Sequence, residues 1–211
     1  MAGTDAHVYE PSRGHGLRHD PLNAIIAPRP IGWVSTLSGR GVANLAPYSF
    51  FNAFNYTPPI VGFSSIGWKD SVANAAETRQ FCWNLATVAL AEQMNLTCAP
   101  APPEIDEFDL AGLTKAPSTR VAPPRVLESP VNFECQVSQI VQLRAAGGGE
   151  IGAWLVLGEV VAVHIDRAAI TDGVYDILAA QPIMRAGGLG DYYRIRAEDR
   201  FAMRRPAWPM T

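Results

Sequence analysis

The sequence predicts a mainly β protein, a β-barrel with helices packed on its periphery. Glycine and proline supply 18 and 17 of the 211 residues, and because helix interiors tolerate little of either, an all-α bundle is excluded. About six or seven segments have the short apolar character of strands, at irregular spacing. They do not alternate with helices, so the βαβ order of a Rossmann sheet is also excluded.

The first strands lie in the N-terminal half of the chain. Residues 31–36 form an apolar segment that predicts a strand, and a glycine-containing turn follows it. Residues 42–51 predict a second, shorter strand that is interrupted at Pro47, where a proline favours a bulge or a sheet edge. Residues 59–64 predict a third strand, entered through two consecutive prolines.

The middle of the chain mixes helices with a long irregular segment. Residues 69–78 predict a helix, because alanines favour it and Asp70 or Ser71 can cap it. A short strand over 81–86 and a helix over 88–96 follow. Residues 99–130 are rich in proline and predict an irregular excursion with at most one short helix, at 104–110. We expect this excursion to pack at a subunit interface.

The clearest periodicity in the chain covers residues 131–143. Apolar side chains fall on one parity and polar ones on the other, which is typical of a half-buried antiparallel strand. A glycine-rich turn leads into residues 151–165, which are apolar on both parities, so the two strands form a hairpin. A short helix over 172–180 and a glycine-rich loop with a strand over 185–196 complete the prediction.

These elements predict one folded domain over residues 21–196, between an N-terminal arm over 1–20 and a C-terminal tail over 197–211. The arm is polar and contains His15 and His19, but the neighbouring glycines argue against a helix that would align them. We therefore predict no metal site. The chain also lacks the GxSxG, HExxH and paired-carboxylate patterns of hydrolytic enzymes.

Charge and cysteine content narrow the class of protein further. The net charge is −3 and no cluster of Lys or Arg stands out, which argues against nucleic acid as a partner. No apolar run reaches the length of a membrane-spanning helix, so we expect no membrane association. The cysteines Cys82, Cys98 and Cys135 fit no CxxC pattern, which predicts reduced thiols and a cytoplasmic location.

Two groups of polar residues could bind a ligand. The first lies at strand ends and would suit a flat polar heterocycle, although a hydroxyl-rich strand and turn is an alternative. Its members are Ser35, Thr36, Asn44, Ala46, Pro47, Tyr48 and Ser49. The second runs into the start of the helix over 69–78, where amides and a lysine could hold a phosphate, although ordinary helix capping is an alternative. Its members are Ser64, Ser65, Lys69, Asp70, Ser71 and Asn74.

Two further features leave alternatives open. His164 lies near the end of a long covered strand, and it is either a hydrogen-bonded core histidine or a residue that contacts a cofactor. The segment from Arg185 to Tyr193 contains three glycines and two tyrosines, and it is either a loop that closes over a cofactor or a plain turn.

The motifs together resemble the flavin-reductase-like family, and more closely its flavoredoxin branch of FMN-binding split barrels. The resemblance spans roughly residues 20–196 and rests on several short motifs in the correct order. They are Pro28-Arg-Pro-Ile-Gly-Trp-Val-Ser-Thr36, Gly41-Val-Ala-Asn-Leu-Ala-Pro-Tyr-Ser-Phe50, Pro58-Pro59, Phe63-Ser64, Lys69-Asp-Ser-Val-Ala-Asn74, Gly158-Glu-Val-Val-Ala-Val-His-Ile-Asp166 and Arg185-Ala-Gly-Gly-Leu-Gly-Asp-Tyr-Tyr193.

The resemblance implies a fold, a cofactor and an assembly. It implies a six-stranded Greek-key split barrel that forms a homodimer, with FMN near the subunit interface. It implies that the first polar group lies along the flavin and its ribityl chain and that the second borders the phosphate. His164 would lie near the flavin ring, where the nicotinamide stacks, and is the one candidate catalytic residue.

The resemblance also implies a reaction. Hydride would pass from NAD(P)H to the flavin, and electrons would pass onward to an acceptor such as a separate oxygenase. Two alternatives stay open at this point. One is an FMN-binding protein or electron carrier without NAD(P)H turnover, and the other is a β-barrel interaction module that has lost the cofactor.

Overall fold

The computed structural model describes residues 5–206 and residue 208. In chain order its strands are β1 (Arg29–Pro30), β2 (Gly32–Leu37), β3 (Ala43–Tyr48), β4 (Phe51–Tyr56), β5 (Pro59–Ile66), β6 (Gln80–Asn84), β7 (Lys115–Ala116), β8 (Arg125–Val126), β9 (Val131–Arg144), β10 (Glu150–Ile165), β11 (Ile170–Thr171), β12 (Val174–Tyr175), β13 (Ile183–Arg185) and β14 (Tyr192–Arg194). Its α-helices are α1 (Leu22–Ile25), α2 (Asp70–Thr78), α3 (Ala91–Leu96), α4 (Glu107–Leu110) and α5 (Ile177–Ala180).

The main sheet is antiparallel and its edges come together. The strand order is β3-β2-β6-β9-β10-β5-β4, which places β3 and β4 at opposite edges. Only Ser49 and Phe50 separate these two strands in the chain, so the sheet must curl until its edges are neighbours. The amide of Ser64 on β5 donates to the carbonyl oxygen of Phe50 at 2.8 Å, which fixes the junction. The result is the predicted barrel.

Strand β4 is the element that the sequence did not resolve from its neighbour. The pattern over 42–51 predicted one interrupted strand, whereas the structure ends β3 at Tyr48 and starts β4 at Phe51. The main sheet therefore has seven strands rather than the six expected. All but the first residue of β4 are exposed, so the strand lacks the apolar alternation that would have marked it.

Both faces of β2 are buried, because the barrel has a second layer on its outside. Val34 points into the barrel and packs in a core with Phe63 and Phe81. Its neighbour Trp33 points outward and packs in a second core with Phe108 of α4. Because successive side chains of a strand point to opposite faces, the residues of β2 contribute alternately to the two cores.

The hairpin of β9 and β10 is the longest pair in the sheet, and it contains bulges. The pairing register shifts between Leu157 and Gly158, so the side chains beyond that point exchange faces. Ile140 consequently packs against the barrel core, while Val141 is 40% exposed. The half-buried strand predicted over 131–143 is correct in its position, and the bulge changes which residues face inward.

Buried apolar side chains anchor the proline-rich segment to its own barrel. Phe108 on α4 and Val126 on β8 are fully buried within the chain, while packing of the segment's exposed residues at a subunit interface stays a prediction. Helix α4 begins where Asp106 accepts a hydrogen bond from the amide of Phe108 at 2.9 Å. It occupies the second half of the short helix predicted at 104–110.

The C-terminal region is more β-rich than predicted. The helix expected over 172–180 is reduced to α5, and the hairpin of β11 and β12 precedes it. The loop and strand expected over 185–196 form β13 and β14, which join β1 in a three-stranded sheet. Parts of the predicted arm and tail, residues 1–4, 207 and 209–211, lie outside the described residues.

The described residues contain neither a cluster of metal ligands nor a helix suited to crossing a membrane. Within residues 5–206 and 208, no group of three or more His, Cys, Asp or Glu side chains is placed to hold a metal ion. Nor does any helix in that part of the chain combine the length and the apolar character needed to cross a membrane.

Candidate functional site

A pocket of about 760 Å³ opens where the end of β3, the end of β5 and the start of α2 meet. The loop after α3 and the buried residue Glu107 of α4 close its other side. Small-molecule sites typically enclose roughly 300–1,000 Å³, so the pocket can hold a ligand of cofactor size. It is lined by Asn23, Asn44, Ala46, Pro47, Tyr48, Ser49, Phe50, Ser64, Ile66, Trp68, Lys69, Asp70, Ser71, Thr97, Cys98, Ala99, Pro100, Ala101 and Glu107.

The fold brings most of the predicted cofactor-binding residues into this one pocket. From both polar groups of the sequence, the residues that line it are Asn44, Ala46, Pro47, Tyr48, Ser49, Ser64, Lys69, Asp70 and Ser71. The predicted residues outside its lining are Ser35, Thr36, Ser65, Asn74 and His164. The two polar groups, which are separate in the sequence, therefore form adjoining walls.

The start of α2 makes one end of the pocket suitable for an anion. Lys69 precedes the helix and provides no side-chain cap, while its carbonyl oxygen accepts from the amides of Val72 and Ala73, both at 2.9 Å. The first amides of a helix have no partner within it, and they carry a partial positive charge. The ammonium group of Lys69 adds a full charge at the same place.

A buried hydrogen bond fixes the wall of this anion end. The amide Nδ2 of Asn44 on β3 donates to Oγ of Ser71 on α2 at 2.9 Å, and both residues are buried. Burial raises the pKa of Tyr48, further along β3, although the hydroxyl groups of Ser71 and Ser65 partly offset the increase. The phenol is therefore neutral at physiological pH and can donate or accept a hydrogen bond.

Two aromatic side chains also line the pocket. Phe50 and Trp68 remain 38% and 51% exposed, which leaves apolar surface available for a planar ligand. The Trp68 ring is held edge-to-face against Trp154 of β10, with 5.3 Å between ring centroids. The pocket thus combines a cationic, hydrogen-bonding wall with exposed aromatic surface.

Glu107 lines the pocket, although no pattern in the sequence singles it out. It is 6% exposed, and its Oε2 accepts from the amide of Leu45 on β3 at 2.9 Å. Burial raises the pKa of its carboxyl group, Asp70 and Asp106 raise it further, and the bond from Leu45 only partly compensates. The contact joins residues distant in sequence, so no local motif could have revealed it.

Ser35 and Thr36 lie outside the pocket because alternation along β2 directs their side chains into the protein. Ser35 is on the parity of Trp33, and its Oγ donates to the carbonyl oxygen of Pro124 at 2.5 Å. Thr36 is on the opposite parity, and its Oγ1 accepts from Asn74 of α2 at 3.1 Å. These hydroxyl groups therefore join β2 to its two covering layers.

The side chains of Asn74 and Ser65 also lie outside the pocket lining, because each makes a hydrogen bond within the protein. Asn74 lies one turn beyond the start of α2 and uses its side-chain amide to hold the helix on the barrel. The Oγ of Ser65 donates to the carbonyl oxygen of Gly67 at 2.9 Å, which stabilises the loop that leads to Lys69. Ser65 and Asn74 thus support the pocket from behind.

His164 forms a separate site with a buried carboxylate. Its Nε2 lies 2.5 Å from Oε1 of Glu134 on β9, and Glu134 is fully buried. The loop after β7 provides further bonds to Glu134, from the amide and hydroxyl of Thr119 and from the amides of Arg120 and Val121. Burial alone would raise the pKa of Glu134, but the bonds from His164, Thr119 and Arg120 lower it to about 2.

This second site is separate from the pocket within the same chain. His164 lines a polar cavity of about 480 Å³ that also contains Arg125, Asn132 and Asp166. Leu155 of β10 pairs with Ser64 at the pocket, and His164 follows further along that strand, beyond its bulges. His164 is therefore not part of the pocket wall of its own chain.

Comparison with known proteins identifies the family. The family described as "Flavin reductase like domain" matches residues 26–179, which include the pocket walls, α2 and both strands of the long hairpin. The chain belongs to the flavin reductase-like domain family. An uncharacterized protein from Halalkalibacterium halodurans is 35% identical over 173 residues, which cover 79% of this chain and 82% of that protein.

Two solved structures at 29% identity are similar to this chain. Nitrilotriacetate monooxygenase component B from Bacillus cereus has a TM-score of 0.79 at 29% identity, covering 86% of this chain and 90% of that one. The 2-nitrobenzoate 2-nitroreductase NbaA from Pseudomonas fluorescens has a TM-score of 0.76, also at 29% identity, and covers 89% of each chain.

More distant structures confirm the fold. A Shewanella frigidimarina NCIMB 400 protein with a split barrel domain has a TM-score of 0.75 at 24% identity, covering 88% of this chain and 90% of that one. Flavoredoxin of Desulfovibrio vulgaris (Miyazaki F) has a TM-score of 0.74 at 20% identity, covering 89% and 97%. The mainly β split barrel expected from the sequence is therefore confirmed.

Proposed function

We propose that this flavin reductase-like domain binds FMN in the 760 Å³ pocket and transfers hydride from NAD(P)H to it. The observation that carries the proposal is the junction of β3 with the start of α2. There an uncapped helix start and Lys69 meet a hydrogen-bonding strand, and exposed aromatic surface lines the same pocket.

The anion end fits the phosphate of FMN. Helix N-termini bind phosphate through free amides and the helix dipole, and a lysine adds a charge-assisted bond. Lys69 and Ser71 would hold the phosphate. Asp70 and Glu107 also line the pocket, but the raised pKa of Glu107 reduces the negative charge that it contributes.

The remaining walls fit the rest of the cofactor. The polar residues of β3 from Asn44 to Ser49 would follow the ribityl chain and the polar edge of the ring. The exposed aromatic surface of Phe50 and Trp68 would lie against the ring system. When bound, FMN supplies the hydride acceptor, so the protein needs to bind and orient it rather than provide an acid or base.

We also propose that the flavin reductase-like domain acts as a homodimer. His164 would approach the flavin of a second copy, because it does not line the pocket of its own chain and lies beyond the bulges of β10 from Leu155, which pairs with Ser64 at the pocket. The exposed apolar side chains of Val161, Val163 and Ile165 lie on the same strand beside it, with 36%, 51% and 38% of their surface accessible. Such a row of apolar residues supports burial against another copy.

The proposed electron acceptor is a separate oxygenase or another redox partner. The support for an oxygenase is that a relative at 29% identity is named as component B of a monooxygenase. The three cysteines are free thiols, two of them buried, which supports the cytoplasmic location expected from the sequence.

An anaerobic experiment tests the proposal. The purified protein is reconstituted with FMN, freed of excess flavin, and mixed with NADH or NADPH while flavin absorbance is recorded. Bound flavin that bleaches at a catalytic rate supports the reductase, and the faster nucleotide is its reductant. Bound flavin that does not bleach assigns the protein as an FMN-binding electron carrier instead. A protein that retains no FMN would overturn both assignments.

A further inference from the structure

Arg29 is a buried cation whose hydrogen bonds go only to carbonyl oxygens. The residue is 8% exposed. Its Nη1 donates to the carbonyl oxygen of Asn23 and its Nη2 to that of Ala186. Its Nε is buried and makes no hydrogen bond within the described residues. A buried guanidinium normally has a carboxylate partner, because burying an unpaired charge is costly.

A second arginine lies directly opposite Arg29. Strands β1 and β13 pair antiparallel with Arg29 opposite Arg185, and like charges in that arrangement destabilise a sheet. Arg185 uses its guanidinium to bind the carbonyl oxygens of Asp191 and Leu189, at 2.9 and 2.7 Å. Across residues 5–206 and 208, no carboxylate oxygen lies within 4.0 Å of either guanidinium. The pair therefore leaves net positive charge in the protein.

This charge lies against an aromatic side chain that lines the pocket. The Arg29 guanidinium carbon is 5.7 Å from the centre of the Phe50 ring, and Phe50 lines the pocket. Asn23, which accepts a hydrogen bond from Arg29, lines it as well. A planar ligand packed on Phe50 would therefore lie about 10 Å from the charge, with protein rather than solvent between them.

We propose that Arg29, as a positioning residue behind Phe50, stabilises the reduced, anionic form of a flavin bound in this pocket and so raises its reduction potential. The proposal rests on the proposed FMN binding and extends it. A unit charge about 10 Å away, at an effective dielectric constant of about 20, changes an equilibrium on the order of ten-fold. Oxidised flavin is neutral at its ring, so the effect falls mainly on the reduced form.

If Arg29 had only a structural role, its removal would affect the two oxidation states of FMN differently from the charge effect proposed above. As a clamp between α1 and the loop after β13, Arg29 would affect the affinity for oxidised and reduced FMN equally. A charge effect instead changes the ratio of the two affinities. A ten-fold change in that ratio lowers the midpoint potential of a two-electron couple by about 30 mV.

The test is an anaerobic redox titration of FMN-loaded Arg29→Gln, Arg29→Lys and wild-type protein. Arg79→Gln is the matched control, because Arg79 also donates to two carbonyl oxygens, those of Val137 and Ser138, but lies at the opposite end of α2. We expect Arg29→Gln to lower the potential by about 30 mV. Arg29→Lys and Arg79→Gln should keep the wild-type value. An unchanged potential in Arg29→Gln, or an equal shift in Arg29→Lys, overturns the proposal.

A wild-type measurement covers the case in which Arg29→Gln fails to fold. Reduced FMN is titrated with acid, free and bound, and its absorbance reports whether the ring is anionic. We expect bound reduced FMN to stay anionic to a lower pH than free reduced FMN, and protonation at the same or a higher pH would contradict the proposal. Failure to bind FMN at all would instead count against the proposed function.

Discussion

The carboxylate of Glu134 and the imidazole of His164 form a hydrogen-bonded pair across strands β9 and β10, with 2.5 Å between Oε1 and Nε2. The carboxylate is fully buried, while 26% of the histidine side chain is exposed. The loop that contains Thr119 and Val121 surrounds the remaining carboxylate positions with donors. The pair therefore joins the proline-rich excursion, β9 and β10 through one ionised group.

Substitution of Glu134 by glutamine should destabilise the protein in a pH-dependent way. The pKa of Glu134 is about 2 in the folded state, below the usual value for a glutamate. Its ionised form therefore stabilises the fold above about pH 4.5, and this contribution is lost as the pH falls toward 2. We expect Glu134→Gln to lower the free energy of unfolding by on the order of 3 kcal/mol at pH 7.

Urea denaturation at pH 7, 5 and 3 measures this effect. The difference between wild type and Glu134→Gln should be largest at pH 7 and should shrink at pH 3. Glu159→Gln is the control, because it removes an exposed carboxylate from the same hairpin and should change stability by less than about 0.5 kcal/mol. A difference that is the same at all three pH values would argue against an ionised Glu134 as the source of the stability.

Lys69→Ala should weaken FMN binding more than riboflavin binding. Lys69 lies at the uncapped start of α2, where it would contact the phosphate that riboflavin lacks. Loss of one charge-assisted bond costs about 1.5–3 kcal/mol, which is roughly ten- to a hundred-fold in the dissociation constant for FMN. Fluorescence titration with both flavins measures it, with Arg79→Gln at the other end of the helix as the control. Equal losses for FMN and riboflavin would show that Lys69 does not bind the phosphate.

The sequence was sufficient for the elements whose burial follows from local pattern. The strand at 31–36, the helix at 69–78 and the hairpin of β9 and β10 all appear where periodicity placed them. Strand β4 was missed because its side chains are nearly all exposed. Its place in the sheet depends on pairing with β5, which is a long-range contact.

In the candidate site, too, the residues that depend on long-range contacts could not be predicted from the sequence. The polar residues near Lys69 and Ser71 were found because helix starts have a recognisable local chemistry. Glu107 and Glu134 were not selected, since their burial comes from the proline-rich segment folding back on the barrel. Glu134 even falls on the polar parity of β9, and only the covering loop makes it a buried group.

Glu107→Gln should stabilise the protein increasingly as the pH rises. The pKa of Glu107 is raised in the folded state, chiefly by burial, so ionisation above about pH 4.5 costs folding free energy. Glutamine does not ionise and can still accept the bond from Leu45. We expect a higher melting temperature than wild type at pH 7 and little difference at pH 4, measured by thermal unfolding. Lower stability than wild type at pH 7 would mean that the carboxylate is needed in its charged form.

Gly187→Ala should disturb the pocket through α1, although Gly187 is not a pocket residue. A Cβ atom at Gly187 would lie 2.3 Å from Cα of Ala24, so the backbone of α1 must move, and with it the adjacent pocket residue Asn23. Overpacking of this kind costs about 1–3 kcal/mol. We expect at least a few-fold weaker FMN binding and a lower melting temperature.

Gly190→Ala provides the matched control for this substitution. It lies in the same loop, but a Cβ there would meet no atom within 4 Å. If contact between α1 and the loop positions Asn23, only Gly187→Ala weakens FMN binding in fluorescence titrations. If α1 is free to shift, both variants tolerate the added methyl group equally. Equal FMN affinities in the two variants would therefore show that α1 does not position the pocket wall. They would also weaken the case that Arg29, which bonds Asn23 and Ala186 across the same contact, is held in a fixed position behind Phe50.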